Sequence, residues 1–148
     1  MLIHVDVLTR WHEIVRSGDL GSLHDLLHEH VRFHSPVVHT PVEGRDLTAM
    51  YLAGAFHVLV GGGTFTYVRE VVGERDAVLE FTAEVEGIHV NGVDMITWDD
   101  EGTITDFKVM VRPRKAFDLV HRRMAELLAA GAAPHDPAAP SASSASNA

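Results

Sequence analysis

Asp94 is the residue best placed to do chemistry in this chain. It lies in Val93-Asp94-Met95-Ile96-Thr97-Trp98, which reads as a β-strand, and the tight turn Asp99-Asp100-Glu101-Gly102 follows. Side chains on a strand alternate between faces. Ile88, Val90, Gly92, Asp94 and Ile96 therefore share one face, apolar except for the carboxyl. The other face, His89, Asn91, Val93, Met95 and Thr97, is mixed. The alternation predicts that Asp94 points into the core side. Away from water the charged form of a carboxyl is disfavoured, and its pKa rises toward the range useful for proton transfer at neutral pH. The plainer alternative is a carboxylate that accepts hydrogen bonds and only shapes the core.

Other residues could join it. His34 and Ser35 stand beside Pro36. Strand neighbours face opposite sides, so only one of the two points easily into a pocket. His39, in an irregular stretch, could reach a pocket mouth, and a histidine there can shuttle protons; the alternative is a histidine hydrogen-bonded at a sheet edge. Trp11 could form the pocket floor and donate its indole N–H to a substrate carbonyl, or be an ordinary core tryptophan. Tyr51 and Phe56 carry the same two readings. Phe81, Val90, Phe107 and Val109 are expected to wall the substrate site. His24 and His28 are one helical turn apart and with His30 suggest a metal. Leu23, Leu26 and Leu27 claim the buried face, however, and no third ligand is evident, so no metal is expected. Arg112 and Arg114 flank Pro113 and suit a solvated or interface role.

The elements that must position these groups follow from periodicity. Leu8, Trp11, Ile14 and Val15 recur at helical spacing, and Gly18 can close that helix. Asp19 can cap a second helix through Leu20, Leu23, Leu26 and Leu27. Residues 31–35 alternate as a short strand that Pro36 ends. Gly44-Arg45-Asp46 opens a third helix, which Gly61-Gly62-Gly63 stops. Strands are expected over 64–72, 77–86, 88–98 and 104–112. In the second of these Leu79, Phe81, Ala83 and Val85 alternate with Glu80, Thr82, Glu84 and Glu86, the pattern of an antiparallel strand with one wet face. Residues 116–130 read as a last helix. From Gly131 the chain is rich in Ala, Pro and Ser, and 131–148 is expected to be a disordered tail after a single domain over 1–130. Helices first and then antiparallel strands make an α+β fold, a curved sheet wrapped around the N-terminal helices as a cone. The open end of a cone is a natural small-molecule pocket.

Bulk composition narrows the function. The chain has 148 residues, enough for one core. Its net charge of −9 gives no driving force toward nucleic acid or an anionic membrane. It has no cysteine, which excludes disulfides, thiolate metal sites and thiol nucleophiles. No apolar run approaches the roughly 20 residues of a membrane-spanning helix. The first residues lack a basic leader with an apolar core, so cytoplasmic residence is expected. Val93, Met95 and Met110 are expected on the outer sheet face, where an apolar patch would suit a homodimer.

Ser17-Gly18-Asp19-Leu20, Val31-Arg32-Phe33-His34-Ser35-Pro36-Val37, Gly44-Arg45, and the late hairpin 94–104 carry a family likeness. Through them the chain resembles the nuclear transport factor 2-like superfamily, in particular its SnoaL-like and ketosteroid-isomerase-like branches, up to about Met124. The resemblance implies a cystatin-like α+β barrel. Of the ketosteroid isomerase residues, the oxyanion-hole tyrosine of the first helix falls on Trp11. The general-base aspartate falls on Ser35, which is the inward residue by family position, and the protonated aspartate falls on Asp94. With Ser35 in place of the base, steroid isomerisation by that route is not expected. SnoaL-like polyketide cyclases keep an acid/base aspartate at a place resembling Asp94 and need no metal or organic cofactor, and this branch fits better. The epoxide-hydrolase branch relies on an Arg and two Asp residues around a water, whereas the inward candidates on the last strand are Phe107, Val109 and Val111. The resemblance thus implies a cofactor-independent isomerase, cyclase or lyase acting on an apolar carbonyl compound. Asp94, His34 and Ser35 would be its catalytic residues. The alternative is a non-catalytic binding or scaffold module of the same fold.

Overall fold

The computed structural model describes residues 3–130, with side chains from Val7 onward; the expected tail lies outside the described residues. Helix α1 (Ile3–Ser17) turns Val7, Leu8, Trp11 and Ile14 into the core at the predicted spacing. It ends where the Gly18 amide donates to the Ile14 carbonyl at 2.8 Å, with Gly18 at φ 74. Asp19 then caps α2 (Leu20–Leu26), its carboxylate accepting from the Ser22 amide at 3.2 Å and from the Ser22 hydroxyl at 2.7 Å. The helix stops one residue earlier than predicted, because Leu27 is already extended at φ −87, ψ 138.

Strand β1 (Leu27–His34) begins four residues before the expected start. A register shift between Leu27 and Arg32 breaks the alternation there. His28 consequently lies on a strand and His24 on a helix, so the two are not one helical turn apart. His24 Nε2 instead sits 2.6 Å from the Asp46 carboxylate. The two-residue β2 (Val42–Glu43) pairs with β1, and Gly44, at φ 103, leads into α3 (Arg45–Ala55). Phe56–Val60 continues that helix as a π-helical turn, closed by the Gly61 amide on the Phe56 carbonyl at 3.1 Å.

The remaining strands are β3 (Thr66–Val72), β4 (Asp76–Val85), β5 (Ile88–Trp98) and β6 (Ile104–Arg112), and α4 (Arg114–Ala130) follows. The sheet runs β2-β1-β6-β5-β4-β3. All pairings are antiparallel except β1 with β6, so the sheet is mixed rather than antiparallel throughout. The helices between β1 and the later strands let β1 lie parallel to β6. The sheet is curved and does not close, leaving β2 and β3 as its edges. Strand β3 carries a bulge between Tyr67 and Arg69, and its Val68, Val71 and Val72 are exposed.

Two devices fix the sheet around the interior. Glu86 holds a positive φ of 50 in the β4–β5 turn, unusual for a residue other than glycine. Arg122 and Arg123 of α4 bind its carboxylate at 3.0 and 3.1 Å, tying the last helix to that turn. In the middle of β5, Gly92 pairs with Phe81, and the Phe81 ring lies across the glycine. A Cβ at Gly92 would meet that ring and would stand 2.6 Å from the Met110 carbonyl oxygen. Gly92→Ala should therefore displace Phe81 and destabilise the fold by roughly 1–3 kcal/mol, the range for overpacking; chemical denaturation of the variant against the parent checks it.

Candidate active site

Asp94 occupies the middle of the central strand β5, between Leu79 of β4 and Val109 of β6. The β5 burial alternates as predicted, with Val90, Gly92, Asp94 and Ile96 buried. Asp94 is only 6% exposed and is, with Thr48, one of two polar residues in the buried core of the described residues. Its Oδ2 accepts a hydrogen bond from the Tyr67 hydroxyl at 2.6 Å. The Tyr67 oxygen in turn accepts from the Trp11 indole N–H at 2.9 Å. Helix α1, edge strand β3 and central strand β5 thus meet in one chain of hydrogen bonds. Oδ1 of Asp94 has no hydrogen-bond partner among the described residues.

The electrostatics follow from this enclosure. Burial pushes the Asp94 carboxyl up from 3.8 to about 7, and the Tyr67 hydrogen bond, which favours the charged form, holds it back from going further. The Tyr67 hydroxyl is held well above its ordinary range by burial, then by the Asp94 charge and by donation to Asp94. Near neutral pH Asp94 is therefore divided between acid and carboxylate, while Tyr67 stays a donor.

A cavity of about 30 Å³ opens against this pair. That is roughly the space of one water molecule. Trp11 stands 5.5 Å from Phe56 and 5.0 Å from Phe107, ring centre to ring centre, on one side. Phe65 stands 5.0 Å from both Tyr67 and Phe81 on the other. Leu52, Ala55, Leu59, Val60 and Val109 complete the lining. Of the lining residues only Asp94 and Tyr67 can titrate. The π-helical turn supplies Phe56, Leu59 and Val60; such turns are frequent at functional sites. Among the described residues no group of three or more His, Cys, Asp or Glu could hold a metal ion.

The structure brings together Asp94, Trp11, Phe56, Phe81, Phe107 and Val109 of the expected site residues. Five others are absent from the lining. His34 lies 3.0 Å from Asp106 Oδ2, on the strand face opposite that of Phe33 and Phe107. Ser35 caps the turn after Pro36, its Oγ accepting from the Val37 and Val38 amides at 3.2 and 2.9 Å. His39 is exposed beyond that turn. Tyr51 stacks on Phe33 at 6.0 Å, and Val90 is wholly buried in the core. Trp11 also differs from expectation: its N–H is engaged by Tyr67. Tyr67 is the residue that sequence reasoning missed. Its signal was slight: Phe65 and Tyr67 alternate with Thr64 and Thr66, but Arg69 at the next position of that face breaks the pattern.

The chain belongs to the SnoaL-like domain family, whose model matches residues 8–107. Among solved structures it is similar to a steroid delta-isomerase from Pseudomonas aeruginosa. The two are 34% identical with a TM-score of 0.84, covering 90% of this chain and 97% of that one. It is also similar to an uncharacterized protein with a cystatin-like fold from Silicibacter pomeroyi DSS-3. Here identity is 33% and the TM-score 0.78, covering 85% and 87%. The epoxide hydrolase/cyclase-like enzyme SalBIII, of salinomycin pyran-ring formation, shares the fold. It is 19% identical with a TM-score of 0.60, covering 74% of this chain and 90% of that one. No curated protein matches the chain. The fold is therefore nuclear transport factor 2-like.

Removing the hydroxyl that favours ionised Asp94 should raise its titration midpoint above about 7. Carboxyl-carbon NMR titration of Tyr67→Phe is expected to show that rise; a fall would contradict the direction assigned to this hydrogen bond.

Proposed function

We propose that the protein is a small cofactor-independent enzyme doing acid/base chemistry, of isomerase, cyclase or lyase type, on an uncharged apolar carbonyl compound. The observation that carries this reading is a buried carboxyl, divided between its two protonation states near pH 7, facing an aromatic cavity with one oxygen unbonded. Asp94 takes a proton from carbon beside the carbonyl and returns it from the same oxygen pair. The aromatic walls exclude water and hold the flat enolate. Similarity to a steroid delta-isomerase supports the reaction type. The ketosteroid isomerase route itself is not our reading, because Ser35 is engaged in its turn rather than in the cavity. Asp94 and Tyr67 replace the Asp94, His34 and Ser35 set as the working groups. No cofactor enters the scheme.

The test is exchange of α-hydrogens of small neutral ketones in deuterated water, followed by NMR. Asp94→Asn should slow it on the order of 10²- to 10⁴-fold, the usual contribution of one acid/base group; full exchange in the variant would overturn the mechanism. A second readout is stability. The folded-state pKa of Asp94 is raised, so the stability of the neutral form is complete below about pH 4 and is lost as pH rises through about 7. At about 1.4 kcal/mol per tenfold change, the loss above pH 8 is on the order of 4 kcal/mol. Asp94→Asn should lack this pH dependence in denaturant titrations.

The alternative reading is a non-catalytic binding or scaffold module of the same fold. That reading predicts ketone binding without exchange, unchanged in Asp94→Asn.

We also infer a homodimer. Register places Val78 beside Met95 and Val93 beside Met110 on the outer sheet face, and Met110 is 51% exposed. Such an apolar patch suits a twofold interface. Met110→Glu should shift the mass seen by light scattering from dimer to monomer. Among the described residues no helix is long and apolar enough to cross a membrane.

A further inference from the structure

The hydrogen-bonded tyrosine of the site stands on an edge strand of the sheet. Strand β3 has a neighbour on one side only, and its bulge falls directly after Tyr67. Strand pairing alone leaves the Tyr67 side chain weakly oriented. Helix α1 supplies the missing support from the adjoining position to Trp11. His12 Nε2 lies 2.6 Å from Glu70 Oε1, three residues along β3 from Tyr67. The His12 ring meets the Tyr67 ring edge-on, with centres 5.4 Å apart and planes at 79°. Consecutive residues of α1 thus hold Tyr67 at three points: Trp11 at its hydroxyl, and His12 at its ring and, through Glu70, at its strand.

We propose that His12 and Glu70 are positioning residues for the candidate active site, a clasp across the open edge of the sheet that sets the Tyr67 hydroxyl on Asp94. The proposal rests on the reading of Asp94 as the working group. Neither residue touches the cavity. The His12 and Glu70 side chains are 34% and 40% exposed, so the pair adds little to global stability. Its role is orientation. Tyr67 has two side-chain torsions to fix, and its hydroxyl must meet a donor and an acceptor at once.

The experiment uses the whole protein in a Trp98→Phe background, so that the indole N–H resonance reports Trp11 alone. Two quantities are read by NMR: the Trp11 indole N–H shift and the titration midpoint of the Asp94 carboxyl. In His12→Ala and in Glu70→Ala the indole resonance should move as the Tyr67 oxygen leaves. The Asp94 midpoint should rise by about half a unit, as the hydrogen bond favouring its charged form weakens. His12→Gln, which can still donate to Glu70, should restore both. Unchanged indole and carboxyl values in folded His12→Ala, or failure of His12→Gln to restore them, would overturn the clasp. Should His12→Ala fail to fold, Glu70→Ala decides by the same two readings. The underlying reading fails separately: an Asp94 midpoint near 3.8 in the parent removes its acid/base role, while the indole shift still reports the clasp.

Discussion

A carboxyl group enclosed by carbon keeps its charge only if donors replace the water it has lost; otherwise it binds a proton. Asp94 is held between these outcomes. Its enclosure is nearly complete, yet it has one donor, Tyr67, where a fully compensated carboxylate would have two or three. The rest of the site is arranged around this imbalance. Central placement in β5 denies Asp94 to solvent, Gly92 lets Phe81 lie flat beside it, and the aromatic rings keep the cavity free of other charges. A second donor or a nearby cation would return the carboxyl to its ordinary range.

Tyr67 is correspondingly the residue on which most elements converge. Its oxygen is acceptor for α1 and donor to β5, and its ring packs on Phe65 and against His12. The Trp11 N–H would otherwise be a buried donor without a partner, which is costly. Joining the two polar groups through one hydroxyl satisfies both and spares the cavity any further polar lining. The outcome, among the described residues, is a pocket lining with one polar atom left unbonded, Asp94 Oδ1.

The inward turn of Asp94 was legible in the sequence because β5 pairs on both sides without a bulge until its end, and period-two alternation survives there. The Gly18 and Asp19 punctuation was legible for local reasons: a left-handed glycine and a capping carboxylate need only their neighbours. Tyr67 was hidden because β3 is exposed at most positions and bulged beside it, so its alternation carries little signal. The early part of β1 was hidden in the same way. The parallel pairing of β1 with β6 joins strands some seventy residues apart, and no local pattern encodes it. His34 and Ser35 were drawn toward the site by family position, whereas Pro36 commits Ser35 to the backbone of its own turn.

Leaving the cone unclosed has a cost outside the site. An edge strand with three solvent-facing valines is a template on which another molecule's strand can add. The displaced register after Tyr67, and the charged Arg69 and Glu70 that follow, interrupt the straight row of amides and carbonyls such accretion requires. The bulge beside the tyrosine is thus also a device against strand-by-strand addition at the open edge.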